Sequence, residues 1–523
     1  MVQVIQVLIE ECVKPAMGEV VIVNCNSGVI ADSFSRDLSF NGSTKSFDSF
    51  RIHSINTDSP TGDQVIGFPS SSLHWPGGEL NPQDSWLPIT ESRNGSVFSA
   101  VFHLLCSGIG YQALILPVAF ATLGWAWGII CLSLAFLWQL YTIWLLVNLH
   151  ESADSGVRYS RYVHLSVTAF GEKLGKLLAI FPVMYLSGGT CAMLIINGGG
   201  AMQLFYRNLC GDGADAICDG KAVSGAQWFL VFTCIAILVA QLPNLNSITR
   251  VSLIGAITAL SYTSILWALP ISKDRPNNIS YQPLQTKESG MDKFGSIFNA
   301  VGIILLSFKG HNVILEIQAT LPSSPKHSSH KTMWAGVIVS YLQIAMCLFP
   351  LAIAGFWAYG NKIPADGGML RALSEFHRQD ISKFVMGLIY LLIIINGIST
   401  FQIYAMIVFD NLELRYTSIR KKRCARWVRT AIRLLFGGLV YLISVAFPFL
   451  GSLAPLIGGL TMPLTYAYPC FMWISIKKPR QNGAMWFVNI GLGCLGLILC
   501  VLLVVSAIWN LADKGLNANF FNP

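Results

Sequence analysis

From residue 97 onward the chain is a succession of apolar runs, 18 to 29 residues long, separated by short polar stretches. About 20 apolar residues in a helix match the hydrocarbon thickness of a bilayer. The pattern therefore predicts eleven membrane-spanning helices, over 97–121, 125–149, 178–206, 226–243, 249–271, 294–319, 333–358, 382–409, 427–447, 452–476 and 485–511. Before them lies a head, 1–95, rich in Ser, Asn, Gly and Asp, which is expected to be largely disordered and open to phosphorylation. A membrane domain over 96–511 and a short tail over 512–523 complete the organisation. The expected fold class is an all-α polytopic membrane protein.

Two of the runs are interrupted: "LLCSGIGYQALILP" (104–117) in the first and "SFKGHNVILEIQ" (307–318) in the sixth. Backbone N–H and C=O groups cannot stay unpaired in hydrocarbon, so irregular backbone at membrane depth survives only where it lines a cavity or a ligand. Breaks at matching places in two halves of a chain point to a transporter with inverted repeats. Spans one to five would be inverted onto six to ten, with the eleventh as an addition.

At the first break, Ser107, Gly108 and Gly110 let the helix unwind and expose N–H groups at the head of a half-helix, a setting that suits a carboxylate. The competing reading is that the two glycines only allow close helix packing. At the second break Lys309 is the only Lys or Arg near the middle of a span, and Glu316 the interior carboxylate. Seven helical residues separate the two by about 10 Å, so they are not a neighbouring ion pair. Lys309 is expected to meet a ligand carboxylate, freed carbonyls or water, and to exchange a proton. His311 is a second candidate for proton exchange. A snorkelling Lys309 and a His311 satisfied by a carbonyl are the plainer alternatives. His103 reads as a packed histidine. Asn396, Ser399 and Thr400 either coordinate an ion or substrate, or bond back to their own helix. "SGGT" (187–190) and "NGGG" (197–200) read first as a thin packing surface, and Pro455, Pro463 and Pro469 as a bend.

Composition agrees: 53% of the 523 residues are hydrophobic and only 12% charged, which excludes a soluble multidomain protein. The net charge of +8 raises the question of nucleic acid, but placement decides against it. Of the 35 Lys and Arg residues, 22 fall on the amino-terminal side of the predicted membrane and 11 on the other. That is the positive-inside pattern, with the amino terminus cytosolic. The densest run, "RYTSIRKKRCARWVR" (415–429), is suited to anionic lipid. On the predicted outside lie a glycosylation sequon at Asn278 and a loop bracketed by Cys210 and Cys218, candidate disulfide partners. No HExxH, GxSxG or Walker pattern occurs, so neither an enzyme, a metal nor a cofactor is expected.

Four stretches carry a resemblance: "SGIGYQALILPVAFATLGWAWG" (107–128), "AQLPNLNSI" (240–248), "FKGHNVILEIQATLPSS" (308–324) and "AYPCFMWISIKKP" (467–479). From about residue 81 to its end the chain resembles the amino acid/auxin permease family, and within it the plant lysine-histidine-transporter-like branch. The resemblance implies a fold like that of bacterial sodium-coupled leucine transporters and proton-coupled uptake of amino acids at the plasma membrane, an endomembrane being the alternative. It implies that Ser107, Gly108, Ile109 and Gly110 hold the substrate carboxylate, with Phe308, Lys309, Gly310, His311 and Asn312 as the opposite wall. Lys309, His311, Glu316, Ser399 and Thr400 are the candidates for coupling, with sodium less favoured than protons. Many relatives carry a small neutral residue where this chain has Lys309, which argues against cationic substrates and for neutral and acidic ones. Import of auxin or another aromatic carboxylate, and an amino acid sensor with little transport, are the competing functions.

Overall fold

The computed structural model of the chain describes residues 82–514, apart from 153–156, 211–222, 284–289, 309, 325–327, 366, 449–453 and 482. Lys309, Cys218, the head up to residue 81 and the tail beyond 514 lie outside the described residues. Among the described residues the regular structure is helical, with one isolated antiparallel bridge between Glu151 and Arg158.

Helix α1 (Val97–Gly108) starts where Ser96 and Ser99 cap it reciprocally, each side chain accepting the other's amide, at 3.3 and 2.8 Å. A 3-10 turn, Tyr111–Ile115, leads into α2 (Leu116–Leu149). Inside α2, Gly124 adopts φ 75° and ψ 178°, a conformation that only glycine takes readily, and this single residue turns the first crossing into the second. There follow the short α3 (Tyr162–Phe170), then α4 (Glu172–Cys210), α5 (Gly225–Val239) and α6 (Thr249–Ile271). The sixth crossing consists of α7 (Gly290–Ser307) and α8 (His311–Ala319), and the seventh is α9 (Ser329–Tyr359). After the short α10 (Gly368–Phe376) come α11 (Lys383–Arg420) and α12 (Arg426–Ala446). The tenth run is α13 (Ala454–Met462), a π-helical turn Pro463–Ala467 and α14 (Tyr468–Lys477), and the last is α15 (Ala484–Lys514).

Predicted runs three to eleven each coincide with one of these helices or with a broken pair, whereas the first two share α2, bent at Gly124. Eight helical stretches among the described residues are long and apolar enough to cross a membrane, and α1 and α5 are shorter apolar helices. The centre is α11, which packs on α4, α6, α1 and α5 and is buried without interruption from Phe401 to Asp410. Peripheral helices do the reverse. Leu435, Leu439 and Leu442 of α12 and Phe487, Ile498 and Val501 of α15 are exposed, as side chains facing lipid would be. The "NGGG" stretch is the thin surface its composition predicts: a Cβ on Gly198 would lie 2.2 Å from the Phe232 ring and one on Gly199 2.5 Å from that of Phe229.

The face of the bundle from which α1 starts is called here the near face, and the opposite one the far face. The end of α8 returns to the near face, since the Gly95 amide donates to the Thr320 carbonyl at 3.0 Å. On the far face α10 lies against the turn after the first break, where a Cβ on Gly368 would meet the Leu114 carbonyl at 2.3 Å. Residues 82–95, which composition assigns to the end of the head, pack on the near face with Leu87 and Ile89 almost wholly buried.

Candidate functional site

The first break follows from two extended residues, Ile109 and Gly110, between α1 and the Tyr111–Ile115 turn. Carbonyls that the break releases are taken up by α11. The Thr400 hydroxyl donates to the Cys106 carbonyl at 2.9 Å and the Tyr404 hydroxyl to that of Ser107 at 3.1 Å. The chain resumes hydrogen bonding at the Ala113 amide, which donates to the Gly110 carbonyl at 3.0 Å, so the amides of Gly110 and Gln112 stand ahead of the first bond of the new turn.

The second break turns on Gly310, at φ 117° and ψ −3°, which caps α8 in the left-handed region. A Cβ there would meet nothing closer than 3.9 Å, so conformation rather than space demands glycine. The same measurement places Ser107 Oγ 3.9 Å away. The Ser307 hydroxyl donates to the Ile303 carbonyl at 2.7 Å and reaches the Gln112 carbonyl at 3.4 Å. The two breaks therefore touch.

Between them lies a cavity of about 70 Å³. Gln112 borders it from the first break, and Phe308, Gly310, His311 and Asn312 from the second. Gly189, Thr190 and Met193 of α4, Tyr404 of α11 and Leu503 of α15 also border it, with residues of α7 and of the tenth run. Pockets for organic ligands run to about 300–1,000 Å³, so this one must widen to take a substrate. His311 Nε2 lies 2.7 Å from Thr142 Oγ1, and the Asn312 amide donates to Ser187 Oγ at 3.0 Å. His311 Nδ1 and Asn312 Oδ1 are buried without a partner.

Other predicted residues are distributed around this centre. Ser107, Gly108, Ile109 and Gly110 stand behind the wall rather than on it. The Ser107 hydroxyl bonds back to the His103 carbonyl at 2.7 Å, and a Cβ on Gly108 would lie 2.7 Å from Ile344. Ser399 bonds back to the Ile395 carbonyl at 2.9 Å, while Asn396 donates to the Gly255 carbonyl at 3.0 Å. His103 is packed, with Ser252 Oγ 2.8 Å from Nδ1 and Thr249 Oγ1 3.4 Å from Nε2. Asn278 is exposed, and Cys210 is disulfide-bonded at the end of α4. Sequence reasoning missed Tyr466. The π turn brings its hydroxyl 3.1 Å from Gln139 Oε1 and its ring 6.3 Å from that of His311. A proline beside Thr461 and Thr465 in an apolar run was the available signal, since π turns concentrate at functional sites.

Glu316 lies farther along α8, toward the near face. Its Oε1 accepts the Tyr162 amide at 3.4 Å and its Oε2 is buried without a partner. Beside it Arg161 holds Asp410 through Nε at 2.6 Å and Nη2 at 3.3 Å, and reaches Asp84 at 3.2 Å. Burial alone would lower the Arg161 pKa; the adjoining carboxylates of Asp410 and Asp84 outweigh it and hold the guanidinium charged. The Ile89 amide also donates to Asp410, at 3.3 Å. Farther out, Glu91 pairs with Arg423 and Arg429, and Arg429 also reaches Glu413 at 2.9 Å. A strap of residues before α1 thus runs across the near ends of α11 and α12.

The sequence pattern described as "Transmembrane amino acid transporter protein" matches residues 93–509, nearly the whole helical unit. The chain belongs to that family. Among family members, Lysine histidine transporter-like 8 of Arabidopsis thaliana is 50% identical over 85% of this chain and 84% of its own length. Lysine histidine transporter-like 7 of the same plant is 48% identical over 86% and 91%. In fold the chain also resembles a solved nucleobase-cation-symport-1 family transporter, at TM-score 0.52 and 13% identity over 83% of this chain and 96% of that one. Its family is one of transporters, a class distinct from enzymes.

Proposed function

We propose that the chain imports amino acids across the plasma membrane, neutral and acidic ones favoured, together with protons. The meeting of two helix breaks around one buried cavity carries this reading, in a family of amino acid transporters. Taking the near face as cytosolic accords with the excess of Lys and Arg on that side of the sequence.

Protons are favoured over sodium because Glu316 is a buried carboxyl whose described partner is an amide rather than a cation, so a proton can ride there. In sequence Lys309 falls between Phe308 and Gly310, both on the cavity wall. A lysine ammonium 4 Å from a cationic substrate side chain would repel it by about 4 kcal/mol at an effective dielectric near 20, and would attract a side-chain carboxylate equally.

Uptake of labelled amino acids into vesicles holding the purified chain tests the reading. An acid exterior should stimulate it, a proton ionophore should abolish accumulation, and removal of sodium should leave it unchanged. Binding without flux would favour the sensor.

A further inference from the structure

We infer that His311 Nδ1 and Asn312 Oδ1 are the acceptors for the α-ammonium group of the substrate. The inference rests on the transport function proposed above and assigns atoms within its site. The Thr142 hydroxyl has one proton, and the carbonyls of Gln139 and Trp138, one turn back, lie 3.0 and 3.1 Å away. A threonine in a helix donates to such a carbonyl, so the 2.7 Å contact with His311 is donated by Nε2–H. Neutral imidazole protonated on Nε2 keeps its lone pair on Nδ1. On the next residue the Asn312 amide nitrogen is committed to Ser187 Oγ at 3.0 Å, which leaves the carbonyl oxygen. Both side chains are 1% exposed, both line the cavity, and neither acceptor has a partner.

Buried acceptors without donors are destabilising, and two on consecutive residues at a cavity wall suit a group carrying several N–H donors. An ammonium has three. The positive end of α8 opposes a cation here, but α7 ends at the same break and presents its last carbonyls, the negative end of a second helix. The amide of Gln112, on the cavity wall across the break, is the donor for the carboxylate. The site then reads a zwitterion by its two charged ends and leaves the side chain to the apolar wall.

Two series of substitutions separate this from packing. Binding to the purified full-length chain is measured as thermal stabilisation, and transport as competition for labelled uptake. The probes are L-alanine, L-leucine and L-phenylalanine, each against its 2-hydroxy acid, which lacks the ammonium, and its decarboxylated amine. The wild type should prefer amino acid to hydroxy acid by about 100-fold or more, as sites built to bond a polar group do. Asn312→Leu and His311→Gln should weaken the amino acids by about 10- to 100-fold and leave the hydroxy acids unchanged. Asn312→Asp, which keeps an acceptor, and His311→Asn, which returns a carbonyl to the place of Nδ1, should retain the preference. Equal weakening of both probes, an unchanged preference, a change in the preference over the amines instead, or no stabilisation of the wild type by any amino acid would each overturn the assignment. Stabilisation with the expected preferences but no uptake would leave the assignment standing and remove the transport reading.

Discussion

Arg161 and Asp410 are joined by two hydrogen bonds, 2.6 and 3.3 Å long, although 249 positions separate them in sequence. Asp410 is fully buried at the near end of α11, with the Ile89 amide as its other described partner. Removing one partner of a buried pair costs about 3–5 kcal/mol because the other charge stays behind. Arg161→Ala should therefore lower the thermal unfolding midpoint sharply. Adding Asp410→Asn to that variant should restore part of the loss, and simple addition of the two single effects would argue against the pairing.

Glu151 gives the near face a pH dependence. Burial alone would raise its pKa, but hydrogen bonds from Ser329 and Ser328 and the ion pair with Arg158 outweigh that and hold it below its ordinary value of 4.5. A lowered carboxyl pKa contributes stability that is present above the unfolded value and disappears as pH falls through the folded one. Between about pH 5.5 and about pH 3.5 the wild type should lose more stability than Glu151→Gln. Parallel pH profiles of the unfolding midpoint would contradict this.

Gly310→Ala separates conformation from space. The new methyl has room, yet the left-handed backbone costs about 1–3 kcal/mol with a side chain attached. The expected outcome is a chain that still reaches the membrane and has lost most uptake. Gly198→Ala should do the opposite. Its methyl would stand 2.2 Å from the Phe232 ring, so about 1–3 kcal/mol of stability is lost to overpacking, while substrate preference is kept.

Glu316→Gln tests the coupling site. An amide can still accept from the Tyr162 amide but cannot carry a proton. Exchange of labelled for unlabelled substrate at equal pH should persist, and accumulation driven by an acid exterior should vanish. Accumulation at the wild-type level would move coupling to another residue.

Lys309→Ala should weaken acidic substrates most and relieve the exclusion of lysine and arginine. An unchanged order of substrates in competition for uptake would show that Lys309 does not set selectivity.

Both breaks were legible in the sequence because glycine and polar side chains inside an apolar run have few explanations in a bilayer. The polar character of His311 and Asn312, which line the cavity, stood out for the same reason. The Arg161 clamp was not. Asp410 follows an apolar run as any loop acid would, and periodicity holds no record of a partner so far away. Tyr466 was hidden differently: prolines announce a bend, but not the extra residue per turn that aims a side chain. The strap over 82–95 has the composition of a disordered head, and it is fixed by Leu87, Ile89 and the ion pairs of Glu91, which only the assembled near face offers.

Helix α8 is held at both ends by different means. At its start stands a single left-handed glycine, and past its end the Thr320 and Leu321 carbonyls take the Gly95 amide at 3.0 Å and Arg158 Nη2 at 3.1 Å. Mechanically this resembles a door leaf of nine residues, hinged at the glycine and bolted at the other end. A swing of the leaf would break both bolts, and with them the contacts of His311 with Thr142, Asn312 with Ser187 and Glu316 with the Tyr162 amide. One bolt is set by the chain leading into α1 and the other by the loop between α2 and α3. Both bolts lie away from the cavity, so a substitution at either would act on the leaf without touching a ligand.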